Sequence, residues 1–466
     1  LAMCRLSGSR KLAAALYLFL LYSPGMFHEE NVQKVYRGGY IVIFTLLVLG
    51  AVVGQFAARG AARKKEVALW SLLGCFALPI FYYLKEDSVW ILPFVCGGTA
   101  FTMIGLWNNK DTRKVWRFGA ALAPLLALGC VTVGYKMVNY HYYGEYAITD
   151  REGTYFKEVV ADLLQVDDGK GFENLGVWVT RNMVHTAAEH SKTLEELLPY
   201  VEQSWKNWCG ESEAPGDFCI WAFRGAMELS GAYGQGGAYV DSCYQKIHEE
   251  LEHAFESGEL KRWEGRFYIS PTARGLTAGE FAGYFRERFP RAVKLLAAYQ
   301  ENATTSQEAR GLSENLALMS NVTMTHFRWG GTNSKYYKGD EVIVAIENKI
   351  VRLYQKTGWA FFWVGLAGCT GLLLATAAKL AQRKTVGRQG DILLVLLGLI
   401  ASCLLLMAAV LWFCNFLPER KVYDYLCAAI PLMETAKAVG CYYAVCGARH
   451  LWKKRRMFPI LQQRKI

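Results

Sequence analysis

No G-x-S-x-G elbow, P-loop, G-x-G-x-x-G turn or C-x-x-C pair occurs in the 466 residues, so serine hydrolases and nucleotide-binding folds find no support. Internal repeats and long low-complexity linkers are also missing. Acidic residues are scarce outside one central stretch. Residues 139–356 hold 31 Asp+Glu against 23 Lys+Arg, a net of −8, whereas the rest hold 10 acidic and 29 basic residues, a net of +19. The overall charge of +11 is therefore no argument for nucleic acid, because the positive charge lies in short loops and a tail.

What is present is apolar sequence in long runs. The chain is 53% hydrophobic and 14% aromatic, an average that hides two populations. A bilayer core about 30 Å thick needs about 20 apolar helical residues. Runs of that kind are Tyr40–Phe56, Val67–Leu84, Val89–Trp107, Phe118–Val138, Trp359–Ala378, Ile392–Phe416 and Leu426–Ala448, and Leu12–Phe27 adds a shorter eighth. They lack period-two alternation, which argues for helices over a barrel. The expected fold is an all-α polytopic membrane protein of about eight transmembrane helices. A mainly α-helical extracytoplasmic domain is inserted between the fifth and sixth. The expected divisions are a membrane bundle at 1–138, the inserted domain at 139–356, a second bundle at 357–448 and a basic tail at 449–466. The chain begins at Leu1, which leads us to expect an N-terminal fragment; Leu12–Phe27 also carries marks of a signal peptide, and a retained helix is the preferred reading.

Lys and Arg in short loops set the expected orientation. The loops at 58–66, 108–117 and 379–390 and the tail from Arg449 are rich in them, and the intervening loops are poor. Rich and poor loops alternate through all eight runs, so both termini are expected to be cytoplasmic and 139–356 to lie outside. Tyr135, Tyr140, Tyr142, Tyr143 and Tyr146 at one boundary, with Trp359, Phe361, Phe362 and Trp363 at the other, read as interfacial anchors.

Within 139–356, apolar spacing predicts helices over Thr154–Gln165, from Thr193 to about Trp208, and over Phe218–Leu229, Ala238–Phe255 and Phe281–Tyr299. Thr193 with Glu196, and Thr277 with Glu280, read as capping boxes. Val342–Gln355 is amphipathic and is expected to continue into the sixth span. Val177–Thr180 and Arg266–Ile269 read as strands, and glycine-rich stretches at 231–237 and 329–332 as loops. Cys209 and Cys219 flank an acidic loop, leaving open a disulfide or free buried thiols, with Cys243 an odd third. Asn302 and Asn321 match the N-glycosylation pattern, which chance produces often.

Three constellations carry potential chemistry. His248 and His253 flank Glu249, Glu250, Leu251 and Glu252, but five residues turn a helix by about 140°, so both cannot ligate one zinc ion. His185 and His190 fail on the same spacing; a charged face with His–Glu pairs at i,i+4 is the simpler reading. The first outward loop carries His28, Glu29 and Glu30, and the second Glu86 and Asp87. Paired carboxylates there suit a divalent cation or general-base chemistry on a lipid-phosphate donor, with Lys34, Arg37 and Lys85 as phosphate contacts. Solvated loop charges are the plainer alternative. Glu434 and Lys437 share one face of the last run, where unpaired charge costs about 2.5–3.5 kcal/mol. Mutual neutralisation, snorkelling of Lys437 and a role in a substrate path remain open. Gly365, Gly368 and Gly371 suggest close helix packing.

The segment Asn139-Tyr140 through Tyr143-Gly144, then Trp221-Ala222-Phe223-Arg224, Ser230-Gly231-Ala232-Tyr233, Tyr244-Gln245-Lys246 and Gly258-Glu259-Leu260 resembles a group of uncharacterised polytopic bacterial membrane proteins. Some of these look like GT-C class glycosyltransferases, which take sugars from polyprenyl-phosphate carriers. The resemblance implies a cell-envelope enzyme of a bacterial cytoplasmic membrane, with Glu29 and Glu30 as catalytic carboxylates; Glu86 and Asp87 stand as further catalytic candidates from the second loop. Beyond the bilayer, the expected partner is a polyprenyl-phosphate sugar or an envelope polymer, with no nucleic acid. The alternatives are a receptor or assembly factor binding through 139–356, and a transporter built on Glu434 and Lys437.

Overall fold

In the computed structural model the described residues are 1–26, 37–60, 64–85, 87–108, 114–149, 154–170, 176–268, 270–299, 312–323, 338–414, 422 and 425–463. Their regular secondary structure is helical, without a strand. The α-helices are α1 (Ala2–Ser7), α2 (Arg10–Leu21), α3 (Arg37–Ala58), α4 (Lys64–Leu84), α5 (Leu92–Trp107), α6 (Lys114–Tyr143), α7 (Thr154–Gln165) and α8 (Arg181–Ala188). They continue with α9 (Lys192–Cys209), α10 (Phe218–Leu229), α11 (Gly237–Ser257), α12 (Ala278–Ala298), α13 (Ser313–Thr323), α14 (Lys338–Ala381), α15 (Gly387–Phe413) and α16 (Ile430–Gln463). The chain divides into two compact units, one of residues 1–128, 290–408 and 423–466, the other of 129–289 and 409–422.

Among the described residues, six helical stretches are long and apolar enough to cross a membrane: Gly39–Ala58, Lys65–Leu84, Ser88–Trp107, Val115–Tyr143, Ala345–Ala381 and Gly387–Phe413. That fits a multi-pass membrane protein. The first and last of the eight apolar runs are not among them. Helix α2 has 12 residues, about 18 Å at 1.5 Å per residue, against a bilayer core of about 30 Å. Pro24 follows, and it opens a short 3₁₀ turn, Pro24–Met26. Its ring also disfavours helical backbone at Ser23, so the α-helix stops where this apolar run was expected to continue. Helix α16 is long, but Glu434, Lys437 and the basic residues after Arg449 interrupt its apolar character.

In the first unit the tightest packing joins α14 and α16. A Cβ built on Gly368 would fall on the Gly440 carbonyl, and one on Gly365 would lie 3.0 Å from the backbone of Lys437. Gly371, by contrast, faces open space. Two of the three expected packing glycines therefore hold the contact. Helix α14 runs unbroken for 44 residues, joining the amphipathic Val342–Gln355 segment to the apolar run as expected.

The second unit packs α7 to α11 around Phe156, Trp178, Trp205, Phe223 and Tyr244. Helices α7 and α10 have the bounds that apolar spacing predicts. The α9 cap differs: Ser191 Oγ accepts from Leu194 N–H at 3.1 Å, while Thr193 donates its hydroxyl to Glu250 at 2.9 Å. The α12 box forms as expected, with Glu280 N–H donating to Thr277 Oγ1 (3.2 Å) and Thr277 N–H to Glu280 Oε2 (2.8 Å). The two expected strands are not strands. Val177 and Phe267 each make one isolated bridge, to Pro215 and Leu276, because neither segment meets a partner long enough for a ladder. The glycine-rich stretch after Ser230 is a turn that uses positive φ at Gly231 (77°) and Gly236 (98°); 329–332 lies outside the described residues. All thirteen cysteines are free thiols, so the Cys209–Cys219 alternative resolves to thiols, and Cys219 instead donates to the Gly216 carbonyl.

Two outcomes follow. Gly368→Val should cost about 3 kcal/mol or more in detergent unfolding, since backbone cannot rotate out of the way, while Gly371→Val should be close to neutral. Burial raises the Glu280 carboxyl, but the Thr277 N–H, Arg266 and Arg274 outweigh it and hold it below the usual carboxylate range. Its stabilisation is therefore present above about pH 4.3 and lost as pH falls through the lowered value. Glu280→Gln should be less stable at neutral pH and show a shallower acid transition by tryptophan fluorescence.

Candidate functional site

Glu29, Glu30, Lys34 and Glu86 lie outside the described residues. Arg37 begins α3, and Asp87 forms an ion pair with Lys85 at 3.3 Å. Lys85 also lies 4.6 Å from the Tyr425 ring centre. No cation or phosphate site is assembled from this set among the described residues.

The third constellation is assembled, and it gathers more than its two sequence-predicted members. Glu434 and Lys437 lie one turn apart on α16 and pair at 3.2 Å. Both are buried, Glu434 with no exposed surface. Helix α12 ends beside them. The last four carbonyls of a helix lack intrahelical donors, and Lys437 Nζ donates to one of them, the Ala297 carbonyl, at 3.2 Å. An ammonium there also meets the negative end of the helix dipole. Lys437 donates a further hydrogen bond to the Tyr299 hydroxyl at 3.0 Å, and that hydroxyl donates to Glu434 Oε1.

Tyr299 is held from every direction. Its backbone has φ 54°, a left-handed conformation uncommon for a bulky residue, and it ends α12. Gln355 Nε2 donates to its carbonyl at 3.0 Å, and its ring meets Tyr354 edge-on at 5.5 Å. Tyr354 in turn donates to the Phe19 carbonyl near the end of α2, at 2.9 Å. Gly358 permits this arrangement, because a Cβ there would lie 2.7 Å from the Ala297 carbonyl oxygen. Segments of α2, α12, α14 and α16 thus converge on one ion pair.

The two Glu434 oxygens differ. Oε1 accepts from both Tyr299 and Lys437, whereas Oε2 is buried with no hydrogen-bond partner among the described residues. An unsatisfied buried polar atom costs about 1–3 kcal/mol, more when charged.

A second cluster, which spacing alone did not reveal, lies in the 129–289 unit. His248 Nδ1 meets Asp162 Oδ2 at 2.7 Å, and Glu252 approaches both. Burial, with the Glu252 charge adding to it and His248 opposing it, lifts the Asp162 carboxyl to about 7. His253 is exposed and takes no part, in keeping with the spacing argument, while His185 pairs with Glu202 at 2.9 Å. The expected i,i+4 pairing of His248 with Glu252 becomes a three-way meeting with Asp162. The available signal was an acid at a core-facing register of α7, between Val159 and Leu163. Tyr299 gave no such signal, since an aromatic residue at a helix end is ordinary. No family model, curated protein or solved structure matches this chain.

The buried pair predicts strongly non-additive energetics. Lys437→Met or Glu434→Gln alone should each cost about 3–5 kcal/mol by leaving a buried partner uncompensated. The Glu434→Leu/Lys437→Met double variant should recover most of that loss, as measured by detergent-phase unfolding.

Proposed function

We propose that this chain is a multi-pass membrane transporter in which Glu434 carries the coupling proton. The carrying observation is Glu434 Oε2, which is fully buried and meets no donor among the described residues. Ionisable residues inside membrane proteins are expensive and mark proton relays or substrate paths by default. A proton on Oε2 cancels the carboxylate charge and leaves Lys437 without its counter-ion. The ammonium then depends on Tyr299 and the Ala297 carbonyl alone, and the contact of α16 with α12 weakens. Loss of the proton restores the pair. Proton binding in this reading biases two arrangements of the same helices, the requirement for coupling.

A second reading draws on a different observation. An apolar cleft of about 300 Å³ lies in the first unit among α3, α5 and α15, lined by Val52, Phe56, Phe94, Gly97, Phe101 and Gly398. An isoprenoid chain fits such a lining, which favours the glycosyltransferase resemblance and its polyprenyl-phosphate-linked sugar. Glu29 and Glu30 remain its proposed acids.

Proteoliposomes separate the two. Under an imposed pH gradient, wild-type protein should accumulate at least one member of a panel of radiolabelled sugars, amino acids and phosphate esters. Glu434→Gln should abolish this, and Tyr299→Phe should reduce it at least tenfold, in preparations whose circular dichroism matches wild type. Gradient-independent uptake, or wild-type uptake by Glu434→Gln, would overturn the transporter reading. Sugar transfer from a polyprenyl-phosphate donor, lost in Glu29→Gln or Glu30→Gln, would establish the second in its place.

A further inference from the structure

We propose that Asp162, His248 and Glu252 bind one divalent transition-metal ion in the 129–289 unit. The three side chains offer one imidazole nitrogen and two carboxylate oxygens, all within 4.8 Å of one another. His248 and Glu252 lie four residues apart on α11 and so share a face, while Asp162 faces them from α7, which packs against α11. Two ligands come from one helix and the third from its neighbour, both rigid elements with a common core.

One ion needs the three ligand atoms closer together than the 4.8 Å within which they now lie, so Glu252 draws inward on binding. Bonds of about 2.0–2.2 Å from zinc to nitrogen and oxygen set the ligand atoms about 3–3.5 Å apart. The Asp162–His248 hydrogen bond, now 2.7 Å, would open by about half an ångström as the ion replaces its proton. The donor set lacks sulfur, which disfavours Cu(I), and its single imidazole suits Zn²⁺, Mn²⁺ or Fe²⁺ over Ca²⁺. Three protein ligands leave at least one coordination position for water or a substrate oxygen.

An outer layer already orients the ligands. Arg262 Nη2 donates to both Glu252 oxygens, at 2.6 and 2.7 Å, and Arg262 Nη1 donates to Gln165 Oε1 at 2.7 Å. Backbone bonds fix the arginine: Asp167 N–H donates to the Lys261 carbonyl and Trp263 N–H to the Gln165 carbonyl, both at 2.9 Å. A carboxylate has about four acceptor positions, so Glu252 can keep Arg262 and still ligate. Ligating carboxylates are ordinarily hydrogen-bonded in this way.

A purely structural role explains the Arg262–Glu252 pair and the Asp162–His248 bond separately. It does not explain why a second carboxylate is set against an Asp that is only 2% exposed. Arg262 balances one of the two carboxylates, and a divalent ion between them would balance both while replacing the proton shared by Asp162 and His248.

The test uses the full-length chain in detergent, stripped with chelator and titrated with Co²⁺ and Zn²⁺. One equivalent of Co²⁺ should bind, with visible d–d absorption, and Zn²⁺ should displace it. His248→Gln and Asp162→Asn should each lower affinity at least tenfold, while His253→Gln should bind like wild type. Should either ligand variant fail to fold, pulsed EPR of Mn²⁺-loaded wild type gives an independent reading, with one histidine nitrogen expected in the first coordination sphere. Absence of that nitrogen, equal binding by His248→Gln, or equal loss in His253→Gln would overturn the assignment.

Discussion

Lys437 satisfies three acceptors at once, the Ala297 carbonyl, the Tyr299 hydroxyl and Glu434 Oε1, and these belong to two different helices. A buried ammonium cannot be left short of partners, because its desolvation costs several kcal/mol and only well-placed acceptors offset it. That requirement dictates where α12 ends and how closely α16 approaches it. The approach of α14 then has to be close as well, which is why glycine stands at 358, 365, 368 and 440. Side chains at these positions would meet backbone atoms, which have no rotamer to escape into.

Among the described residues the ion pair is incomplete in one respect. A structural pair optimised for stability would satisfy both carboxylate oxygens, as Glu250 does with Ser191 and Thr193 in the other unit. Glu434 satisfies one. The left-handed backbone of Tyr299 belongs to the same pattern, since conformations of that kind persist only where surrounding contacts over-determine them. Strain and a missing donor occur together at one place in the first unit.

The 129–289 unit follows different physics. Its core is large and aromatic, and pairs such as Lys157 with Glu158 and Lys206 with Glu211 lie on its surface, where they add little. Asp162 departs from that pattern because it faces inward from α7 beside an imidazole and a second carboxylate. A polar group in a core costs stability unless something compensates it, and a bound cation is the compensation its neighbours are shaped to hold.

Period and composition were sufficient for the mainly helical character of the described residues, for six of the eight expected membrane runs, for the bounds of α7 and α10, and for the α12 capping box. These depend on residues within a turn or two of one another, so local spacing carries them. The pairing of Glu434 with Lys437 was legible for the same reason, being three residues apart. Tertiary structure alone decided that Thr193 turns to Glu250 and leaves Ser191 to cap α9, and that Val177 and Phe267 find no strand partner. It alone brought Tyr299 across 135 residues to Glu434, and Asp162 across 86 to His248. Spacing within a segment cannot encode which distant helix end will neutralise a buried charge. That is settled only when the core closes and every buried donor and acceptor must find its partner.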